Sequence, residues 1–135
     1  MNVLVVGFGS QGRRDAANAK ALGASVSVFD TGLTEAQIRS VFSSARLVND
    51  DVIREETDLQ TTRFDAVIDA TPAKNRATFI ERWSGRAAMF LEKPLGVDAT
   101  AFAAQTKPSL VRVGYNLRFH PGYRYVLESL PRLGV

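Results

Sequence analysis

Hydrophobic and polar positions fall into alternating blocks along the chain, short unbroken apolar runs followed by longer stretches in which apolar residues recur every three or four positions. Val3-Leu4-Val5-Val6 is such a run and stops at Gly7, as a strand buried on both faces should read. Residues 10–22 follow, with Ala16, Ala17, Ala19 and Ala21 small enough for a helix to lie close on a sheet, and Gly23 as the stop signal. Ser25 to Phe29 predicts a second strand that ends on Asp30. Thr34-Glu35-Ala36-Gln37 matches a capping box, and Ile38, Val41, Phe42 and Ala45 behind it have the i, i+3, i+4, i+7 spacing of a helix.

Arg46 to Val48 reads as a short third strand, and residues 49–63 as a polar loop or short helix. Ala66-Val67-Ile68 is the fourth strand. Thr71 and Pro72 then offer an N-cap and a first-turn proline to a helix carrying Ala77, Ile80 and Trp83, closed by Gly85. Ala88 to Leu91 and Leu110 to Tyr115 are the fifth and sixth strands, with Asp98 capping a short helix through Phe102 between them. After Pro121, Tyr123, Val126, Leu127 and Leu130 share one face of a final helix. Strands alternating with helices predict an α/β fold: a doubly wound, mainly parallel six-stranded sheet with helices on both faces, in the order 3-2-1-4-5-6.

Composition changes this picture little but excludes a good deal. The chain has 135 residues, enough for one domain and too few for two of ordinary size. It contains no cysteine and one histidine, His120, which removes disulfides, thiolate catalysis and cysteine or multi-histidine metal sites, so no metal is expected. The net charge of +3 comes from basic residues scattered singly or in pairs, Arg13-Arg14 being the densest cluster, so no nucleic-acid partner is expected. No apolar segment approaches the ~18 residues of a membrane span, and the N-terminus does not read as a leader, so a cytoplasmic location is expected.

The strongest chemical signal is Gly7-Phe8-Gly9-Ser10-Gln11-Gly12, a G-x-G-x-x-G pattern directly between a predicted strand and a predicted helix. In that context Gly7 permits the tight turn, Gly9 lets a pyrophosphate approach backbone, and Gly12 lets helix and strand pack closely, while the helix N-terminus attracts phosphate. This is the fingerprint of a dinucleotide-binding Rossmann unit. Asp30 lies eighteen residues after Gly12 at the end of the second strand, where its carboxylate can accept hydrogen bonds from ribose hydroxyls. It would repel a 2′-phosphate by roughly 4 kcal/mol at about 4 Å and an effective dielectric near 20, which favours NAD over NADP. The plainer alternative makes Asp30 a turn-former before Thr31-Gly32. Arg13 and Arg14 either reach phosphate or form a solvated helix face.

Four motifs, Gly7 to Gly12, Asp69-Ala70-Thr71-Pro72, Leu91-Glu92-Lys93-Pro94-Leu95 and Gly114-Tyr115-Asn116-Leu117-Arg118-Phe119-His120-Pro121, resemble in order and spacing the N-terminal half of the Gfo/Idh/MocA oxidoreductases. The resemblance implies an NAD(P)-dependent dehydrogenase acting on a sugar, cyclitol or polyol. It places Thr71 and Pro72 along the cofactor cleft and Glu92 and Lys93 near the nicotinamide. As the catalytic candidate, Lys93 would polarise a carbonyl or stabilise an alkoxide. Residues 1–120 would form the Rossmann domain, and residues 121–135 a helix leading to a substrate domain not contained in the chain, which alone would be inactive.

The sequence departs from the family at Arg76, where members often carry histidine, and has no counterpart of the later Asp-x-x-x-His element that supplies an acid or base. His120 reads as structural. A stand-alone dinucleotide-binding sensor or partner subunit without catalysis is the alternative function. The final apolar stripe predicts either homodimerisation through this helix or a displaced, mobile helix, the dimer being favoured.

Overall fold

The structure, a computed structural model, describes residues 1–44, 51–53, 56–96, 102 and 110–133. In chain order the elements are β1 (Asn2–Val6), α1 (Ser10–Ala21), β2 (Ser25–Phe29), α2 (Glu35–Ser44), β3 (Asp51–Ile53), α3 (Glu56–Thr61) and β4 (Ala66–Asp69). A 3-10 turn (Ala73–Asn75), α4 (Arg76–Trp83), β5 (Ala88–Leu91), β6 (Val111–Val113), a second 3-10 turn (Asn116–Phe119), α5 (Pro121–Ser129) and a third (Leu130–Leu133) complete them. The strands form one sheet in the order β3-β2-β1-β4-β5-β6, and every pairing is parallel.

The alternating burial of strand residues divides the core in two. Val3, Val5, Val26 and Val28 face α1 and α2 with Phe8, Ala16, Ala19 and Ile38. Leu4, Val67, Met89 and Leu91 face the other way, toward Leu59, Phe79, Ile80 and Trp83 of α3 and α4. Each large apolar side chain buried this way contributes about 1.5–3 kcal/mol. Trp83 is 2% exposed and packs edge-on against Phe64, with ring centroids 5.9 Å apart.

Several sequence expectations need correction. The third strand is Asp51–Ile53, within the stretch read as loop, while residues 46–48 lie outside the described residues. The helix expected from Asp98 to Phe102 also lies mostly outside them. Thr71 caps no helix: the chain makes a 3-10 turn after Pro72, without a side-chain cap, and α4 begins only at Arg76. The sixth strand is shorter than Leu110 to Tyr115. The Thr34 capping box forms as expected: Gln37 N–H donates to Thr34 Oγ1 at 3.3 Å, and Thr34 N–H donates to Gln37 Oε1 at 2.8 Å. Gly23 and Gly85 close their helices at φ +83° and +75°, where a Cβ is disfavoured.

Strand register determines where the motifs meet. Val6 stands opposite Phe29 and Asp69, Asp69 opposite Leu91, and Leu91 opposite Val113, so the carboxyl ends of five strands are level. Beyond this row, Gly7 N–H donates to Phe29 O, Ala70 N–H to Val6 O, Glu92 N–H to Asp69 O and Gly114 N–H to Leu91 O, at 2.9–3.0 Å. Four motifs distant in sequence thereby stand side by side at one end of the sheet.

Candidate dinucleotide site

The strand order reverses between β1 and β4, and a crevice opens there beyond the strand ends, as such a switch point requires. It is a cavity of about 790 Å³, within the range of ligand pockets. Gly7, Gly9, Asp30, Ala70, Thr71 and Pro72 line its polar end, and Leu59, Phe79 and Trp83 are among its apolar wall.

The glycine loop is shaped by what a side chain would meet. Gly7 has φ +87°, and a Cβ there would lie 2.9 Å from Ala70 O. At Gly12 a Cβ would come within 1.9 Å of Gly7 O, so α1 approaches the loop as closely as backbone allows. Gly9 is different: a Cβ there would touch nothing within 4 Å. Its φ of −68° suits any residue, so protein packing does not require glycine at this position. The space is open cleft. Gly9 is also the N-cap of α1 and provides no side-chain cap, and no acidic residue occupies the first turn. The first-turn N–H groups and the positive end of the helix dipole are therefore available to an anion.

Opposite the loop, Asp30 accepts three backbone hydrogen bonds: Phe8 N–H at 2.6 Å to Oδ2, and Gly32 and Leu33 N–H at 2.7 and 3.0 Å to Oδ1. Asp30 therefore builds the turn, and it also lines the cavity. A carboxylate has about four acceptor sites, which leaves room for a hydroxyl. Such an array fits a dinucleotide, with donors at the α1 terminus for a pyrophosphate and an acceptor at the end of β2 for a ribose.

Other sequence candidates sit elsewhere. The Phe8 ring is fully buried in the core, so its role is to hold the loop. Arg13 donates from Nε to Phe8 O at 3.1 Å, its guanidinium 5.9 Å from the Phe8 ring, which ties this residue to the loop's own backbone. Ser10 is exposed at the helix start. Gln11 turns sideways, Nε2 donating to Asp15 Oδ1 at 2.9 Å. Glu92 and Lys93 follow β5 on the same sheet end but do not line the cavity. Lys93 is exposed, while Glu92 Oε1 is buried without a hydrogen-bond partner.

Two buried charged groups were not recognised from sequence. Arg76, a departure from the family pattern at a position where members often carry histidine, is 1% exposed and turned inward. Its Nη1 lies 2.5 Å from Asp69 Oδ2 and donates to Asp69 O at 3.0 Å. Asp15 is 9% exposed in α1. Burial pushes its carboxyl above the usual range and the charge of Glu92 adds to this, against the Gln11 hydrogen bond and Arg14. The apolar wall was visible only as helix periodicity, because the spacing that buries Trp83 in a core also places it on a cavity. Arg82 and Glu56 form an ion pair across α4 and α3, and Arg82 reaches the cavity rim.

No family model matches the sequence, and no curated protein matches it. Solved structures do. The chain is similar to the myo-inositol dehydrogenase of Lactobacillus casei in complex with NAD(H) and myo-inositol, at TM-score 0.79 and 21% identity over 98% of this chain and 41% of that one. A 3-ketoreductase of Actinomadura kijaniata with NADP and TDP-benzene matches at TM-score 0.77 and 19% identity, over 98% and 42%. A Gfo/Idh/MocA family oxidoreductase of Vibrio cholerae matches at 0.74 and 18%, over 98% and 44%. The chain spans about two fifths of the length of these neighbours. Among the described residues no helix is long and apolar enough to cross a membrane. The chain has the Rossmann fold, as these neighbours do over the part that it matches.

Proposed function

We propose that the chain is the NAD-binding part of an oxidoreductase that acts on a hydroxyl or carbonyl carbon of a sugar, cyclitol or related polyol. The cavity at the switch point carries this reading. Its open space at Gly9, its uncapped helix terminus and its Asp30 carboxylate suit a pyrophosphate and an adjacent ribose. The Asp30 carboxylate favours the 2′-hydroxyl of NAD over the 2′-phosphate of NADP. Bound there, the nicotinamide would supply or accept the hydride. Gly9 and the start of α1 hold the phosphates, Leu59, Phe79 and Trp83 exclude water from the adenine end, and Thr71 and Pro72 form the floor. Lys93, two residues beyond β5, is the cation assigned on this reading to stabilising developing negative charge on a substrate oxygen.

The neighbours, named for inositol and keto-sugar chemistry, support this class of substrate, and their greater length supports a separate substrate-binding part. On this reading the chain alone binds cofactor but does not turn over polyols, and it works in the cytoplasm. A second reading, a dinucleotide-binding sensor or partner subunit, is favoured by one observation: Lys93 is exposed and outside the cavity lining. Calorimetric titration with NADH and NADPH, followed by an absorbance assay with a polyol panel, tests the proposal. Tighter NADH binding supports it, equal or tighter NADPH binding contradicts the role of Asp30, and turnover by the chain alone contradicts the need for a further part.

Association is proposed for the C-terminal face. Residues 115–128 are all exposed, and Leu117, Phe119, Tyr123, Tyr125, Val126 and Leu127 are each 48% exposed or more. Large apolar side chains exposed in this number tend to be covered, here by a second copy of the chain.

A further inference from the structure

The Thr71 hydroxyl lies in the cavity wall with its hydrogen already committed. Thr71 Oγ1 is 2.6 Å from Asp69 Oδ1, and Thr71 N–H donates to the same oxygen at 2.9 Å. Asp69 is fully buried, and its other oxygen lies 2.5 Å from Arg76 Nη1, itself 1% exposed. A carboxylate paired with a guanidinium can only accept, so the hydroxyl must donate to it. A threonine hydroxyl has one hydrogen and two lone pairs. What remains of Thr71 for a ligand is acceptor capacity alone.

We propose that the Arg76–Asp69 pair fixes the polarity of Thr71, making it an acceptor that selects an N–H or O–H group of the bound dinucleotide and rejects its phosphate oxygens. The inference rests on the dinucleotide reading and refines it. With Asp30 also acceptor-only, two acceptors stand beside the glycine loop and the N–H donors of the α1 terminus, while the donor side chains of Asn75, Thr78 and Arg82 line the wall contributed by α4 and the turn before it. An orientation that satisfies both groups points the pyrophosphate toward Gly9 and the start of α1, and hydroxyl or amine hydrogens toward Asp30 and Thr71. Asp69 and Arg76 touch no ligand in this scheme; they are positioning residues acting through Thr71. An uncharged residue in place of Arg76 would leave Asp69 buried without its counter-charge, which explains why this buried position holds a cation.

Calorimetric titration of the wild type, Thr71→Ser and Thr71→Val with NADH and a panel of analogues tests the proposal. The analogues each lack one donor: the ribose hydroxyls in turn, the adenine amine (hypoxanthine in place of adenine) and the carboxamide (acetylpyridine in place of nicotinamide). The serine variant should bind NADH like the wild type, and the valine variant about tenfold more weakly, as for one hydrogen bond. That loss should vanish for one analogue and persist for the others. An equal loss across the whole panel, or none, overturns the proposal. Polarity is also readable without ligand, because a hydroxyl proton held by Asp69 gives a slowly exchanging NMR resonance in the free protein. Exchange at the rate of a solvated hydroxyl overturns the assignment even if NADH binds, whereas a protected proton with no NADH binding at all rejects the dinucleotide reading and the ligand selection built on it.

Discussion

Gly12 faces the carbonyl oxygen of Gly7 so closely that a methyl group on it would stand 1.9 Å away, while the same group on Gly9 would touch nothing. Packing therefore requires glycine at position 12 but not at position 9, and the proposed function gives Gly9 its role in binding. Gly12→Ala should cost about 3 kcal/mol through overpacking against backbone, on the order of a 10 °C fall in Tm. Gly9→Ala should leave Tm nearly unchanged and weaken NADH binding at least about tenfold, because its methyl group fills the space left for the pyrophosphate. Thermal denaturation and calorimetry on both variants check this. A destabilised Gly9→Ala with normal binding would show that the cleft is not at Gly9.

Asp30 should control the choice of cofactor. Asp30→Ala removes a carboxylate that accepts from Phe8, Gly32 and Leu33, so the protein should lose stability, with a lower Tm. It also removes an acceptor for ribose and a repulsion toward phosphate, so the ratio of NADPH to NADH affinity should rise about tenfold or more. An unchanged ratio, measured by titration with both cofactors, would assign cofactor choice to another residue, such as Arg13 or Arg14 beside the glycine loop.

How much of this was legible in the sequence depended on whether neighbouring residues carried the information. β2 and β5 occur where their apolar runs begin and end, and Gly7 to Gly12 announced the loop, because backbone conformation and close approach dictate glycine locally. The third strand was misplaced because a three-residue strand leaves almost no periodicity, and Asp51-Val52-Ile53 follows a polar stretch that reads as loop. Thr71 was read as a cap because Thr-Pro before a helix has that pattern. Its hydroxyl serves Asp69 instead, two residues upstream and held by Arg76 from the next helix. Such a pairing exists only once the chain has turned back on itself, and Asp15 beside Glu92 is likewise a product of tertiary structure.

Asp15 yields a pH dependence whose sign follows from its raised carboxyl. The folded state holds the Asp15 proton more tightly than the unfolded state, so this residue's contribution to stability falls as pH rises from about 4 through the folded value. Asp15→Asn keeps an acceptor for Gln11 and removes the buried charge near Glu92. It should raise Tm at pH 7 relative to the wild type, with the gain shrinking toward pH 4. Thermal denaturation across that range checks it, and a variant less stable at pH 7 than at pH 4 relative to the wild type would reverse the assignment.

The exposed apolar face of α5 predicts self-association. Leu127→Glu places a charge on that face, where Leu127 is 48% exposed and Tyr123 and Val126 are its neighbours. Light scattering should find a dimer for the wild type and a monomer for the variant. A monomeric wild type at tens of micromolar would remove the second copy as the cover of this face.

The dinucleotide cavity itself can be tested with the chain's own reporter. Trp83 is the one tryptophan in the sequence and lines the cavity wall. Excited at the indole band, it should transfer energy to a reduced nicotinamide bound in the same cavity, so titration with NADH should quench tryptophan emission saturably and raise dihydronicotinamide emission in step. Gly9→Ala should weaken both responses together, with the fold intact. Saturable transfer lost in Gly9→Ala is the result this account predicts; no transfer at millimolar NADH, or transfer indifferent to Gly9, would contradict it.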